Sequence, residues 1–195
     1  QSFDESPASD CLGYTIYTTH GAKALGRVAQ AAPDRVAAEL SDDDSGETLV
    51  DLYENAHEDV QEHLLGVFKE VSSGAPQIFG EDNEELAELF DSALEAREDV
   101  AEIYCILAES NPDQLVESVP ELTTALEARP GTQTEANLVT AIATIADSEP
   151  VDLRAYRDTF VDLFAEGSLD LTGEVMLVDL LTQIPSTVDI ELRPD

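Results

Sequence analysis

The sequence predicts an all-α protein, one helical-repeat domain of about four to five antiparallel helix pairs, and three observations carry that expectation. The first is periodicity. Val100, Ile103, Tyr104 and Leu107 fall at i, i+3, i+4 and i+7, and Leu115, Val119, Leu122 and Leu126 follow at i, i+4, i+7 and i+11, so the stretch from Asp99 to Ala128 reads as two amphipathic helices. The second is punctuation: Pro33, Pro76, Pro112, Pro150 and Pro185 stand 43, 36, 38 and 35 residues apart. The third comes from aligning the chain on those prolines. Twelve residues before them stand Gly21, Leu64, Val100, Leu138 and Gly173; eight before, Leu25, Phe68, Tyr104, Ile142 and Leu177; five before, Val28, Val71, Leu107, Ile145 and Leu180. Four before, Ala29, Ser72, Ala108 and Ala146 are small, with Leu181 the exception. A common apolar phase at a fixed period is the mark of a repeat array.

The elements follow in order. Residues 1–17 form a poorly defined N-terminal segment. Gln1 to Asp10 is polar and frays, and Cys11 to Tyr17 reads as a short strand or an atypical first helix, the latter favoured by the helical remainder. The chain opens on Gln1 without Met, as a processed product or a piece of a longer protein would. Residues 18–185 carry the helix pairs. A helix from Thr18 to Gln30 leads to Pro33 and a short helix ending at Leu40; Ser41 to Gly46 is a solvated loop, and a helix near Glu47 to Ala56 comes next. Helix 58–72 presents Val60, Leu64, Val67, Phe68 and Val71, and after the break at Pro76 a helix carries Leu86, Leu89, Phe90 and Leu94. In the central pair Asn111 is a suitable N-cap, Pro112 suits the first helical position, and Gln114 completes a weak capping box. Pro120 within the second helix predicts a kink. The fourth pair runs from Thr134 to Ala146 and from Pro150 to Phe164. The fifth begins near Leu171 with Val175, Val178, Leu181 and Ile184 as its stripe, and the tail 186–195 is too short for a second full helix, so this truncated unit is expected to act as a cap.

A period of 35 to 43 residues, two helices per unit and a proline opening the second helix resemble the HEAT and armadillo class of α-solenoids across roughly residues 18–185. The resemblance implies a right-handed α-solenoid. Its recurrent Asp and Arg ladder is not evident at matched positions, so no functional residue is carried over. The tetratricopeptide pattern fits less well, since its Trp, Leu-Gly and Tyr signature is missing. A compact helical bundle is the architectural alternative.

Charge is the second strong signal. Forty-three acidic residues against nine basic ones give a net charge of −34, while 43% of residues are apolar, enough for a folded core. The only lysines are Lys23 and Lys69. An acidic, Lys-poor folded chain resembles proteins of salt-in halophiles, haloarchaea in particular. Molar salt shortens the Debye length to ~3 Å, which screens the self-repulsion of such a surface. The acids occur in every segment, which fits a solvation role better than a dedicated patch for a basic partner. Cys11 and Cys105 make no disulfide framework, no apolar run approaches a membrane span, and no signal peptide opens the chain, so a cytoplasmic protein away from the membrane is expected. Cys105, inside the apolar helix, reads as a buried free thiol.

Motifs for chemistry are sparse. His57 and His63 are six apart and fit no zinc spacing, and Asp42, Asp43, Asp44 and Gly46 lack the alternation of a calcium loop. There is no nucleophile elbow, P-loop or dinucleotide fingerprint, so no catalytic residue, metal or cofactor is assigned. The basic minority is more informative. Lys23, Arg27 and Arg35 cluster in thirteen residues, with Lys23 and Arg27 on one helix face, as a contact for an acidic partner or as offsets for neighbouring acids. Arg154 and Asp158 are spaced for an intrahelical ion pair. In a solenoid the second helices line the concave side, which makes Glu117, Glu121, Arg154, Arg157 and Asp158 surface candidates. The expected function is a non-catalytic scaffold or adaptor for an unidentified protein partner. The alternatives are nucleic-acid binding through Lys23, Arg27 and Arg35, which no basic stripe interleaved with aromatics favours, and a helical-repeat enzyme with a hidden carboxylate site.

Overall fold

A computed structural model describes residues 18–41, 49–79, 86–87, 89–91, 94–128 and 130–184, and among these all regular structure is helical. The α-helices are α1 (Thr19–Ala31), α2 (Pro33–Ser41), α3 (Leu49–Glu54), α4 (Glu58–Gly74), α5 (Leu94–Ser110), α6 (Val119–Glu127), α7 (Thr132–Ser148), α8 (Arg157–Glu166) and α9 (Leu171–Gln183). Short 3-10 segments span Pro76–Phe79, Leu89–Asp91, Pro112–Ser118 and Leu153–Tyr156. The expectations for residues 1–17, the Asp42–Asp44 loop and the tail from 186 lie outside the described residues.

Local chemistry explains most helix starts. The Thr18 hydroxyl accepts the Gly21 N–H at 3.1 Å, and Asp170 Oδ1 accepts the Gly173 N–H at 2.8 Å, so each occupies one of the donors that a helix leaves without an internal partner. Gly167 ends α8 at φ 62°, a left-handed conformation that glycine adopts without a Cβ penalty.

The central pair departs from its sequence reading in two places. Asn111 makes no side-chain cap, because the turn after it is 3-10: its carbonyl accepts the Gln114 N–H at 3.2 Å, and the tighter i to i+3 pattern takes up the donor a cap would have served. Pro120 produces no mid-helix break. The α-helix begins only at Val119, so Pro120 sits in the first turn, where its missing N–H leaves no bond unmade.

The long helices pack in chain order, α1 on α4, α4 on α5, α5 on α7 and α7 on α9. Second elements lie against this row: α2 touches α1 and α4, the segment Pro112–Ser118 touches α5 and α7, α6 touches α7, and α8 touches α6 and α9. The residues twelve before each proline are buried in every unit, from Gly21 through Leu64, Val100 and Leu138 to Gly173. Eight before, Phe68, Tyr104, Ile142 and Leu177 are buried and Leu25 packs against the core from its edge. The small residues Ala29, Ser72 and Ala108 are buried, and Ala146 packs against the core from its edge. Phe90 stacks on Tyr104 with ring centroids 5.8 Å apart, and Phe68 meets Phe79 edge-on at 6.4 Å.

The expected burial pattern is broken in two places. Val28, five before Pro33, is 49% exposed in the first described unit. In α9 part of the stripe read from sequence is turned outward: Val175 and Val178, like Leu171 at the helix start, are exposed, while Leu181 packs against the core and Ile184 is buried together with Gly173, Leu177 and Leu180. The helix is apolar on most of its circumference, so periodicity alone leaves two faces to choose from, and packing against α7 and α8 selects the second.

The end of α4 meets the start of α2 closely. A Cβ added at Gly74 would lie 2.0 Å from Cγ of Pro33, a ring that cannot swing aside. Gly74→Ala is therefore expected to cost about 1–3 kcal/mol in chemical denaturation, in the range of an overpacked contact, although the residue is exposed.

Candidate interaction surfaces

Helices α1 and α4 leave an open groove of about 300 Å³ between them, and the reason is two glycines. A Cβ on Gly26 would stand 3.8 Å from Val67, and one on Gly66 would meet nothing within 4 Å, so no side chain fills the floor. Lys23, Arg27 and Gln30 line one wall; Glu62, His63 and Glu70 line the other. Lys23 and Arg27 are exposed, and among the described residues neither makes an ion pair despite the excess of acids. Arg35 is exposed on α2 and does not line this groove. The fold thus joins two of the three expected cations and faces them with two carboxylates. A phosphate chain entering here would meet Glu62 and Glu70 as well as the cations.

The second set is dispersed. Glu117 and Glu121 are exposed on the 3-10 segment and α6. Arg154 does not pair with Asp158; it precedes α8, in the segment Leu153–Tyr156, and grips Asp152 with both arms, Nε to Oδ1 at 2.8 Å and Nη2 to Oδ2 at 2.9 Å. These hydrogen bonds hold the Asp152 carboxyl below and the Arg154 guanidinium above their ordinary values. Arg157, half-buried, has its Nη1 3.9 Å from Oδ1 of exposed Asp158. The 3-10 turn removes the four-residue helical spacing on which the Arg154–Asp158 expectation relied.

A third polar cluster ties α4 to α5. Lys69 Nζ lies 3.0 Å from Glu102 Oε2, and that hydrogen bond raises the lysine above its ordinary value. Burial raises the Asp99 carboxyl, against the opposing pull of Lys69. The two shifts act oppositely on stability. A raised lysine supports folding at all pH values below about 10.5, and the support disappears as pH climbs through the folded value. A raised carboxyl binds its proton more tightly folded than unfolded, so Asp99 weakens the fold as pH rises through the acid range above 3.8. Both partners of the pair are about a third or more exposed, so Lys69→Met is expected to cost only about 0.5–1 kcal/mol in dilute salt, and less in molar salt, by urea titration.

One buried and one half-buried group are held in place. Glu135, 4% exposed, accepts a 2.8 Å hydrogen bond from the Ser168 hydroxyl and so links the start of α7 to the turn before α9. Cys105 is a free, half-buried thiol whose Sγ donates to the Asn137 carbonyl at 2.9 Å, and burial pushes it up to about 12. At neutral pH it is almost wholly un-ionised. Iodoacetamide is expected to leave Cys105 unmodified in the folded chain and to alkylate it after denaturation, as read by peptide mass spectrometry.

Among the described residues no group of three or more His, Cys, Asp or Glu is placed to hold a metal ion, and no helix is long and apolar enough to cross a membrane. His57 sits at the N-cap of α4, its Nδ1 accepting the Asp59 N–H at 3.4 Å, apart from the groove that His63 lines. Compared with protein-family models, with curated proteins and with solved structures, the chain gives no significant match.

The surface that sequence reading missed is apolar. Val161 and Phe164 on α8 are 36% and 51% exposed, and Leu171, Val175 and Val178 on α9 are 77%, 60% and 46% exposed. The signal was available in the composition of α9, whose thirteen residues include two acids and no base.

Proposed function

We propose that this chain is a non-catalytic scaffold or adaptor, a HEAT-like right-handed α-solenoid that works in the salt-rich cytoplasm of a halophilic archaeon and presents its surface to another protein. The observation that carries this reading is the packing of α1, α4, α5, α7 and α9 in chain order, each on the next, which suits an array that contacts neighbours only and offers an extended face. The net charge of −34 supports the saline setting.

Small-angle scattering in molar KCl tests the architecture. A solenoid has a radius of gyration clearly above the ~16 Å expected of a compact globule of this length, and a value at ~16 Å favours the bundle. Capture from a halophilic host lysate in molar KCl tests the role. A stoichiometric protein partner, lost when Glu117, Glu121 and Arg157 are reversed in charge, is the expected result; co-purified nucleic acid or small molecule counts against it.

One observation favours a second reading. Lys23 and Arg27 line one wall of the groove and make no ion pair among the described residues, which supports a phosphate-binding surface, while Glu62 and Glu70 on the other wall oppose it. Nucleic-acid binding that persists in molar KCl and disappears on converting Lys23, Arg27 and Arg35 to Glu would establish it. The enzyme alternative draws less support: the buried carboxylate Glu135 is engaged by Ser168 and lies outside the groove.

A further inference from the structure

Helices α1 and α4 meet differently from the long helices that follow them. Where α4 packs on α5, the residues seven before Pro76 and ten before Pro112 are Lys69 and Glu102, and their 3.0 Å ion pair bridges the seam. Where α5 packs on α7 the same two places hold Cys105 and Thr140, both half-buried, and Cys105 Sγ reaches the Asn137 carbonyl across it. Where α7 packs on α9 they hold Ala143 and Val175. Between α1 and α4 both are glycine, Gly26 and Gly66, and the seam is left as the open groove.

The groove has a wall of each sign. Lys23 and Arg27, one turn apart on α1, stand on one side; Glu62 and Glu70 stand on the other. Among the described residues these four make no ion pair, with one another or with any other group. Glu70 is drawn to Lys69 as well, whereas Glu62 acts beside Asp99, a like charge, so Glu62 has the most to gain from an added cation. A simple anion entering the groove is held by one wall and repelled by the other, and a simple cation meets the reverse. A molecule carrying both charges satisfies the two walls together, as Lys69 and Glu102 satisfy each other at the next seam.

We propose that the groove binds a small zwitterion, amino acid to dipeptide in size, with its carboxylate on Lys23 and Arg27 and its ammonium on Glu62. A groove of about 300 Å³ stands at the small end of ligand sites. Packed helices lie ~8–10 Å apart axis to axis, and an extended dipeptide spans ~7 Å between its termini, so one such molecule reaches both walls. The planar fork of Arg27 suits a carboxylate, which takes two hydrogen bonds from it. With no side chain on the floor, the backbone of the ligand can settle against Gly26 and Gly66.

The test is a nuclear magnetic resonance titration of the full chain with diglycine, at the lowest KCl concentration that keeps the chain folded by circular dichroism. Saturable shifts centred on the Gly26 and Gly66 amides are expected, with a dissociation constant in the range of about 1–10 mM. N-acetyl-diglycine, which lacks the ammonium, and diglycinamide, which lacks the carboxylate, are each expected to bind ~3- to 5-fold more weakly, the loss of one exposed ion pair. Gly66→Leu is expected to abolish the saturable shifts while helicity and melting stay unchanged or improve, since leucine favours a helix over glycine and a Cβ there meets nothing within 4 Å. No saturable shift up to about 50 mM diglycine overturns the proposal. So does equal binding of N-acetyl-diglycine, which would leave an anion site alone, or of diglycinamide, which would leave a cation site alone. Binding that survives Gly66→Leu overturns it too, because the ligand then lies elsewhere. The scaffold role draws on other residues and stands or falls separately.

Discussion

The melting temperature rises by at least ~10 °C between dilute buffer and molar KCl, a stabilisation of roughly 3–5 kcal/mol at this chain length. The cause is the net charge of −34 on a chain that still buries a continuous core. At about 0.1 M salt the Debye length is ~10 Å, so carboxylates on adjacent helices repel one another across the surface; at 1 M it is ~3 Å and most of that repulsion is gone. Among the described residues few local pairs offset it. The Lys69–Glu102 and Arg154–Asp152 pairs are partly or largely exposed, each of the kind that contributes at most about 1 kcal/mol. Differential scanning calorimetry across a KCl series reads the effect directly. A melting temperature flat across the series would remove the basis of the saline assignment. Substituting sodium sulfate at equal ionic strength separates screening, which both salts supply, from preferential exclusion, which sulfate supplies more strongly.

Phe68→Ala is expected to cost about 3–5 kcal/mol, a large part of the stability of an ordinary domain. Its ring is 1% exposed and edge-on to Phe79, and its helix α4 packs against both α1 and α5, so the cavity left behind cannot collapse by moving one helix alone. Phe164→Ala, an identical chemical change at a side chain 51% exposed, is expected to alter the monomer by about 0.5 kcal/mol or less. Urea denaturation of the two variants in molar KCl gives the comparison. Similar losses in both would mean that the apolar end at α8 and α9 is packed within the monomer.

Much of the fold was legible because helix-forming periodicity is a local property. The proline alignment found the buried phase from Leu64 to Leu180, and the small residues Ala29, Ser72 and Ala108 that it singled out are buried. Turn geometry was harder to read. Asn111, Pro112 and Pro120 are compatible with an α-helix, a 3-10 turn or a kink, and neighbouring packing on α5 and α7 decides among them. Arg154 shows the same limit, since a helical spacing to Asp158 means nothing once the residue lies in a 3-10 segment.

The candidate surfaces divide similarly. Lys23 and Arg27 share a helix face by spacing alone, but their opposition to Glu62 and Glu70 across a glycine floor depends on how α1 meets α4. From sequence by itself come the all-helical class, the apolar phase of the helices and the charge, because each is set by composition or by residues within a few turns of one another. Only the tertiary structure decided which side of α9 faces inward, which cations make no ion pair among the described residues and where α8 and α9 leave apolar side chains exposed, because those depend on contacts between residues some thirty or more positions apart, to which local periodicity is blind.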